Sequence, residues 1–275
     1  MAFARKRKKG LFLSIELVAV IVIITIIAAI VIAGIAHLFK IYKIYQITRD
    51  FSQYSEAAIQ FKINYKYWPG DLPANKVNGI FQTLSTDATT LKDSIGLGKI
   101  TGIAGGCLAF KEMSLAKLIS FVAGSATCTD LTNATVANGA IPASSFDDAL
   151  AIGIISDKTS PTFANNSKVL SDPTWTEGNP RIVLFRGTGM SGLADMKAPS
   201  LNHGGAVSPA VASDVDTKMD DGKPTTGILD AEIAAAAEPA PPACAYDDGT
   251  LVVYANSDDD SASKGCVLTY KTATV

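Results

Sequence analysis

The pattern of apolar and polar residues divides the start of the chain into two segments. From Leu17 to Ala36 the only polar side chain is that of Thr25, and these 20 residues, if helical, are enough to cross the hydrocarbon core of a bilayer. Over residues 40–64, apolar residues recur mostly at steps of three and four, which predicts an amphipathic helix. No proline interrupts either segment, so we expect one helix over residues 11–64, membrane-spanning over about residues 11–39.

Positive charge precedes the apolar segment. Five basic residues, Arg5 to Lys9, come before it, with no acidic residue among them. By the positive-inside tendency they hold the N-terminus in the cytoplasm and send the later residues across the membrane. The alternative is a cleaved secretory signal, for which the small residues from Ala33 to Ala36 resemble a cleavage site. The apolar region of such a signal spans only about 7 to 15 residues, so the longer run here favours a membrane span.

A single acidic residue, Glu16, lies near the start of the apolar run. A carboxylate within a membrane span costs a few kcal/mol on insertion scales, and such groups usually face a protein partner or a polar cavity. We therefore expect Glu16 to have a partner. The alternative is that Glu16 lies near the cytoplasmic interface, where it is hydrated or protonated.

The segment around this acid is Lys9-Gly10-Leu11-Phe12-Leu13-Ser14-Ile15-Glu16. It resembles the N-terminal signature of type IV pilins and type II secretion pseudopilins. The resemblance implies that a prepilin peptidase removes the basic leader, residues 1–10, by cutting after Gly10, and that the new N-terminus at Leu11 is methylated. The family places its Glu fifth in the mature chain, whereas here Glu16 is sixth. Cleavage after Leu11 would make Phe12 first and Glu16 fifth, but it would put Leu where the family has Gly.

The same resemblance implies an α+β, pilin-like fold. The amphipathic half of the spine helix would pack on an exported globular head, residues 65–275, built of short antiparallel strands and loops. Glu16 would pair with the N-terminal amine of a neighbouring subunit in a helical fibre. The implied partners are prepilin peptidase, other pilin or pseudopilin subunits, and the inner-membrane assembly platform with its ATPase.

The implied location is the bacterial inner membrane, crossed once, with a periplasmic head that later joins a periplasmic or surface fibre. The fibre would serve type II protein secretion or form a type IV pilus, and the sequence does not separate these two. The rival interpretation is an inner-membrane-anchored periplasmic binding protein or enzyme that never enters a fibre. Processing separates the two, because an anchor keeps its basic N-terminus and a pilin loses it.

Short apolar runs in the head predict strands separated by long loops. The runs are residues 152–155, 181–185, 227–229 and 251–254. One helix is predicted over residues 110–122, with Lys111, Glu112 and Lys117 facing outward.

Four cysteines in an exported chain indicate disulfides, and the sequence allows three pairings. We expect the pairs Cys107–Cys128 and Cys244–Cys266, because each pair brackets a compact unit. The second pair would close a C-terminal hairpin in which residues 251–254 pair with residues 267–270. That arrangement resembles the disulfide-bounded C-terminal region of many pilins. Zinc is not favoured, because no two cysteines are close in sequence.

An acidic motif lies in residues 213–227 of the head. Four aspartates there offer the hard oxygen ligands that calcium prefers, and Gly222 permits the turn that gathers them. These are Asp214, Asp216, Asp220 and Asp221. Their spacing does not match an EF-hand. The alternative is an acidic turn in which aspartates cap backbone amides and Lys218 and Lys223 balance the charge. No other cofactor or metal is expected.

Charge and motif content argue against two other classes of function. Without the leader, 19 of the 24 Lys and Arg residues remain against 26 Asp and Glu, a net charge of about −7 that does not favour nucleic-acid binding. The head contains one histidine, His203, with no catalytic motif around it. Ser191 lacks the second spaced glycine of a nucleophile elbow. We therefore do not expect an enzyme.

Overall fold

Four helices and six strands follow one another in the part of the chain that the structure, a computed structural model, describes. The described residues are 9–81, 96–100, 102–120, 141–147, 150–156, 178–186, 206–231, 244–247, 252–255 and 266–273. The helices are α1 (Lys9–Tyr65), α2 (Ala74–Ile80), α3 (Gly102–Leu115) and α4 (Pro209–Met219). The strands are β1 (Leu150–Ile155), β2 (Arg181–Arg186), β3 (Leu229–Ala231), β4 (Ala245–Asp247), β5 (Val252–Tyr254) and β6 (Leu268–Lys271). The α+β class is confirmed: a long N-terminal apolar helix accompanies a small antiparallel sheet.

The chain divides into two compact units, residues 1–43 and residues 44–275, and α1 contributes to both. The helix ends at Tyr65, one residue after the predicted end. Lys66 takes the left-handed conformation, with φ 67°, and its N–H donates to the carbonyl of Lys62 at 2.8 Å. This is a common way to terminate a helix, because it satisfies a carbonyl that the last turn leaves open.

The second half of α1 forms one wall of the core of the second unit. Its buried apolar side chains recur at steps of three and four and include Ile47, Phe51, Tyr54, Ala58 and Phe61. Aromatic contacts extend this wall into the rest of the unit. The ring of Phe51 stacks on Tyr270, and the ring of Tyr54 meets Phe110 edge-on, both at 5.7 Å between centroids. Burial of each large apolar side chain stabilises the fold by about 1.5–3 kcal/mol.

The larger sheet has the strand order β1-β2-β6-β3, with every pair antiparallel. Leu150 lies opposite Arg186, and Arg181 lies opposite Lys271. The predicted strand at 227–229 begins instead at Leu229, because Gly227 has a positive φ of 81° that does not fit a strand. A second sheet consists of β4 and β5 alone, in which Ala245 lies opposite Tyr254.

The predicted hairpin between residues 251–254 and 267–270 is wrong. Strand β5 pairs with β4, whereas β6 lies inside the larger sheet between β2 and β3. Only 4 residues separate β4 from β5, against 13 between β5 and β6. Closing the shorter loop costs about 1 kcal/mol less conformational entropy. Hydrogen-bonded neighbours on both sides of β6 also place its Leu268 in the core.

The predicted helix at 110–122 exists but begins earlier and ends earlier, as α3 at Gly102–Leu115. Lys111 and Glu112, predicted to face outward, are buried, whereas Lys117 lies beyond the helix and is exposed. The first turns of α3 contain three glycines, whose low helix propensity concealed the true start. Every residue from Gly105 to Met113 is buried, so the amphipathic pattern did not identify an outer face.

A buried carboxylate joins α3 to the turn that follows α1. Glu112 accepts a hydrogen bond from the backbone N–H of Gly70 at 2.6 Å. Burial raises the pKa of this carboxyl well above its usual value, against the lowering effect of the Gly70 bond. Gly70 has φ 81°, and a Cβ there would lie 2.2 Å from the carbonyl oxygen of Gly105. The turn after α1 is therefore fixed by contacts that only glycine allows.

One disulfide ties the two sheets together. Cys244, just before β4, bonds Cys266, just before β6, with their Cα atoms 4.7 Å apart. This is one of the two expected pairs, although it does not close the expected hairpin. A loop of this length gives a stabilisation of about 3 kcal/mol in the chain-entropy account. Cys107 is also disulfide-bonded. Its expected partner, Cys128, lies outside the described residues.

Candidate functional site

The first half of α1 exposes apolar side chains on all sides. Between Ile15 and Phe39, 16 large apolar side chains have 44% or more of their surface exposed. Covering such side chains is worth about 1.5–3 kcal/mol each when burial is complete, so together they represent tens of kcal/mol. A surface of this size requires a covering medium, either lipid or other protein chains. We call residues 15–39 the apolar segment.

Among the described helices, α1 alone is long and apolar enough to cross a membrane. Its most apolar window has a mean hydropathy of 3.3, and none of that window is buried within the chain. The core helix of a soluble protein would be mostly buried, although an N-terminal signal sequence shares these properties. The hydroxyl of Thr25 donates to the carbonyl of Val22 at 2.8 Å, so the one polar side chain between Leu17 and Ala36 is satisfied inside the helix.

Glu16 is exposed near the start of the apolar segment. Within the described part of the chain, no basic group or hydrogen-bond donor contacts its carboxylate. The predicted processing residues, Gly10, Leu11 and Phe12, lie in the first four positions of α1. Phe12 and Glu16 are therefore separated by about one helical turn, roughly 6 Å along the axis. The structure thus places an exposed acid about one turn from Phe12 and five residues from Leu11, the predicted new N-terminus.

A second candidate site lies at the C-terminal end of α4. Ser208 caps the start of this helix, Pro209 occupies its first position, and the helix ends at Met219. The chain then turns through Asp220 and Asp221. Three aspartates come close together there: Asp216, Asp220 and Asp221. One carboxylate oxygen of each lies within 4.8 Å of one carboxylate oxygen of each of the other two. We call these three residues the aspartate cluster. Asp214, the fourth residue of the predicted set, lies on α4 and is not part of it.

Backbone and hydroxyl donors orient two of the three carboxylates. One oxygen of Asp220 accepts from the N–H of Ile228 and from the N–H of Leu229, the latter at 3.0 Å. Asp221 accepts from the hydroxyl of Thr226 and from the N–H of Lys223 at 3.0 Å. The Thr226 bond is the main cause of a lowered pKa for the Asp221 carboxyl. These bonds hold both carboxylates at the loop that leads into β3.

Asp216 is the buried member of the cluster, with no measurable exposed surface. Its Oδ2 accepts a hydrogen bond from the hydroxyl of Tyr254 at 2.7 Å. No described group makes a hydrogen bond to its Oδ1. Burial raises the pKa of the Asp216 carboxyl to about 7, with Asp220 and Asp221 adding to the rise, whereas the Tyr254 hydroxyl and the Gly222 amide oppose it. The cluster therefore contains a buried carboxylate whose Oδ1 makes no hydrogen bond to a side chain or backbone group in the described ranges.

Two glycines permit the path of this loop. Gly222 has φ 75° and Gly227 has φ 81°. A Cβ on Gly227 would lie 1.8 Å from the Oδ2 of Asp220, so a larger residue would displace that carboxylate. Lys218 and Lys223, the predicted counter-charges, differ in role. The ammonium of Lys218 lies 5.3 Å from the ring of Tyr45, whereas the charge of Lys223 contributes to the lowered pKa of Asp221.

Sequence reasoning missed Tyr254 and Thr226 as parts of the cluster. Tyr254 is 38 residues from Asp216 and reaches it because β5 lies near α4, a long-range contact with no local sequence signal. Thr226 lies within the predicted motif, five residues from Asp221, where a hydroxyl donor to the turn could have been anticipated. Ser191 and His203 lie outside the described residues.

The chemistry of the two sites differs. The apolar segment with Glu16 suits helix packing in lipid or against other helices, with one charge available for pairing. The aspartate cluster suits either a hard cation or a hydrogen-bonded acidic turn. Comparison of the chain with protein-family models, with curated proteins and with solved structures finds no match.

Proposed function

We propose that this chain is a pilin-like structural subunit, either a pseudopilin or a minor pilin. It is processed by prepilin peptidase and assembled through α1 into a helical fibre that serves type II protein secretion or forms a type IV pilus. The observation that carries the proposal is one continuous helix with two surfaces. Its first half is apolar and exposed and contains a lone acid, whereas its second half is buried in the head.

A change of surroundings, from membrane to fibre, accounts for the apolar segment. In the membrane, lipid covers these side chains, and the single crossing leaves the head on the periplasmic side. In a fibre, the same segments of neighbouring subunits cover one another. Both surroundings exclude water, so the chain exchanges one apolar environment for another without exposing the segment.

The lone acid gives such a fibre its register. Removal of the leader after Gly10 creates a free amine at Leu11, close to Glu16 along the helix. The attraction between two unit charges 4 Å apart is about 1 kcal/mol in water and about 4 kcal/mol at an effective dielectric constant of 20. A Glu16 carboxylate paired with the amine of a neighbouring subunit is therefore most favourable where helices exclude water. Apolar contacts alone allow many alignments, and this pair selects one.

The rival function is a membrane-anchored periplasmic binding protein or enzyme. The apolar segment serves an anchor equally well. An anchor, however, gains nothing from Glu16, which costs a few kcal/mol in a membrane span. It also keeps the basic residues before Gly10, because they set its orientation.

The mature N-terminus tests the proposal. We expect co-expression with a prepilin peptidase to remove residues 1–10 or 1–11, with or without an added methyl group, as read by intact mass and N-terminal fragment spectra. Gly10→Val should block a cut after Gly10 and leave the apolar segment unchanged. An intact N-terminus, where a control prepilin is processed, would favour the anchored protein. Cleavage near Ala36 would instead indicate an exported soluble protein.

A further inference from the structure

We propose that residues 37–43 of α1, which we call the interfacial collar, bind the head groups of anionic phospholipids at the membrane surface to which the head is exported. The collar follows directly after the apolar run that ends at Ala36. The inference rests on the membrane span of the proposed function, although it requires neither processing by a peptidase nor assembly into a fibre. Three features carry it: the depth of the collar, its exposed side chains and the distribution of charge along the chain.

The collar lies at head-group depth. The 20 residues from Leu17 to Ala36 extend about 30 Å as a helix, which equals the thickness of the hydrocarbon core. A bilayer with its polar regions is about 40–45 Å thick, which leaves roughly 5–8 Å for the head groups on each side. Residues 37–41 span about that distance at about 1.5 Å per residue. Because α1 continues through the collar without a break, these residues lie among the head groups whenever the run before them crosses the bilayer.

The exposed side chains of the collar are of the kind that a membrane interface favours. Phe39 is 67% exposed and Tyr42 is 50% exposed. Tyrosine is enriched where the hydrocarbon core meets the head groups, because its ring is apolar and its hydroxyl can bond to water or phosphate. His37, one turn before Lys40, is exposed as well. Lys40 is half-buried, and the stem of such a lysine can cover apolar surface while its ammonium reaches a phosphate.

Positive charge is concentrated next to the membrane. Between Glu16 and Asp50 the chain has three basic residues and no acidic one: Lys40, Lys43 and Arg49. From Asp50 onward it has 16 of its 24 Lys and Arg and 25 of its 26 Asp and Glu, a net charge of about −9. Basic residues on the exported side run against the positive-inside tendency, so their position here calls for a compensating partner. The phosphate of an anionic lipid is such a partner, because lysines near an anionic surface are attracted to it.

Lys40 is the cation that we assign to the lipid. Lys43 is buried, and Arg49 donates to the hydroxyl of Ser145 at 3.1 Å. The ammonium of Lys40 has three donors, so it can bind a phosphate without giving up a contact within the chain. Phosphatidylglycerol carries a net negative charge, whereas the ammonium of phosphatidylethanolamine neutralises its phosphate. The collar should therefore prefer phosphatidylglycerol.

The test uses the full chain in vesicles made of equal amounts of these two lipids. A photoreactive phenylalanine derivative replaces Tyr42, and mass spectrometry identifies its lipid adducts. We expect about fivefold more adducts with phosphatidylglycerol, the factor that one lysine contributes at an anionic surface. Lys40→Gln should make the two adducts nearly equal, whereas Lys40→Arg should retain the preference. Lys76→Gln is the matched control, because it removes the same charge from an exposed position on α2, and it should retain the preference too.

Salt tests the same contact without changing Lys40, so the test stays valid if Lys40→Gln fails to fold. The preference should fall as sodium chloride is raised toward about 1 M, where charges are screened beyond about 3 Å. Equal adducts with both lipids at low salt would overturn the inference, and so would a preference that persists in Lys40→Gln or at high salt. These outcomes leave the membrane span and N-terminal processing intact, so they do not affect the proposed function. Absence of any lipid adduct, together with cleavage near Ala36, would overturn both.

Discussion

The two halves of α1 share a backbone conformation but differ in what covers their side chains. In the apolar segment, Ile23 is 56% exposed, whereas in the second half Phe61 is fully buried. The second half owes its stability to the head, against which one of its faces packs. In the first half, none of the most apolar window is buried among the described residues. One helix thus joins a half that is packed in the core to a half whose large apolar side chains are exposed.

Composition follows the same division. The apolar segment is rich in Ile and Val, which are modest helix formers in water because branching at Cβ restricts their side chains. In an apolar environment the backbone N–H and C=O groups must bond to one another, which favours a helix. This effect outweighs the modest helix propensity of Ile and Val. The second half mixes Lys, Asp, Gln and Glu with its apolar residues, as expected for a helix with one face in water.

The largest expected effect comes from a truncation in the second half. Phe61→Ala removes a fully buried ring that stacks on Phe81 with centroids 6.2 Å apart. We expect it to lower the free energy of unfolding of the head by about 3–5 kcal/mol. Urea unfolding in detergent, followed by the fluorescence of the buried Trp68, measures this loss.

Ile23→Ala is the matched truncation in the apolar segment. Because the Ile23 side chain is 56% exposed, the free energy of unfolding of the head should change by less than about 0.5 kcal/mol. Equal losses from the two truncations would contradict the division of α1 into two surfaces.

A smaller effect is expected from the buried acid that joins α3 to the turn after α1. The pKa of Glu112 is raised in the folded state. At a pH between the ordinary pKa of a glutamate and this higher value, the folded state keeps a proton that the unfolded chain has released. Its contribution to stability is therefore full below about pH 4 and declines as the pH rises through the folded pKa. Each pKa unit of the difference corresponds to about 1.4 kcal/mol.

Glu112→Gln keeps an acceptor for the Gly70 amide but cannot ionise. We expect the variant to be more stable than the unaltered chain at pH 7 to 8, with a flatter dependence of stability on pH. Urea midpoints between pH 4 and pH 8 provide the measurement. Glu56→Gln is the control, because Glu56 is exposed on α1, and it should leave the pH profile unchanged. An unaltered profile in Glu112→Gln would show that Glu112 does not cause it.

Features with a local signal could be predicted from the sequence. The continuity of α1 follows from the absence of proline over residues 11–64, and β1 and β2 follow from short apolar runs. The pairing of β5 could not be predicted, because a strand of three residues has too little pattern to choose between two neighbours. The burial of Glu112 was missed for a related reason. An acid is expected to face water unless its partner is known, and that partner, the Gly70 amide, lies 42 residues away.

The aspartate cluster combines residues that are local in sequence with one that is distant. The local set Asp216, Asp220 and Asp221 was visible as a motif, since all three lie within one helix end and turn. Asp214 lies on α4 outside the cluster, because spacing alone does not say which acids on a helix face the loop. Tyr254 comes from another strand, and only the fold brings it to Asp216.

Contact between apolar segments of different subunits tests the central claim most directly. A photoreactive phenylalanine derivative at position 23 would be compared with one at position 63, where Ile63 is similarly exposed at 52%. In cells containing the assembly platform and its ATPase, we predict crosslinks from position 23 to a second pilin-like chain. They should disappear without the ATPase and decrease in Glu16→Ala, while the head remains folded. Crosslinks from position 23 to lipid alone, unchanged by the ATPase and by Glu16→Ala, would contradict assembly through α1.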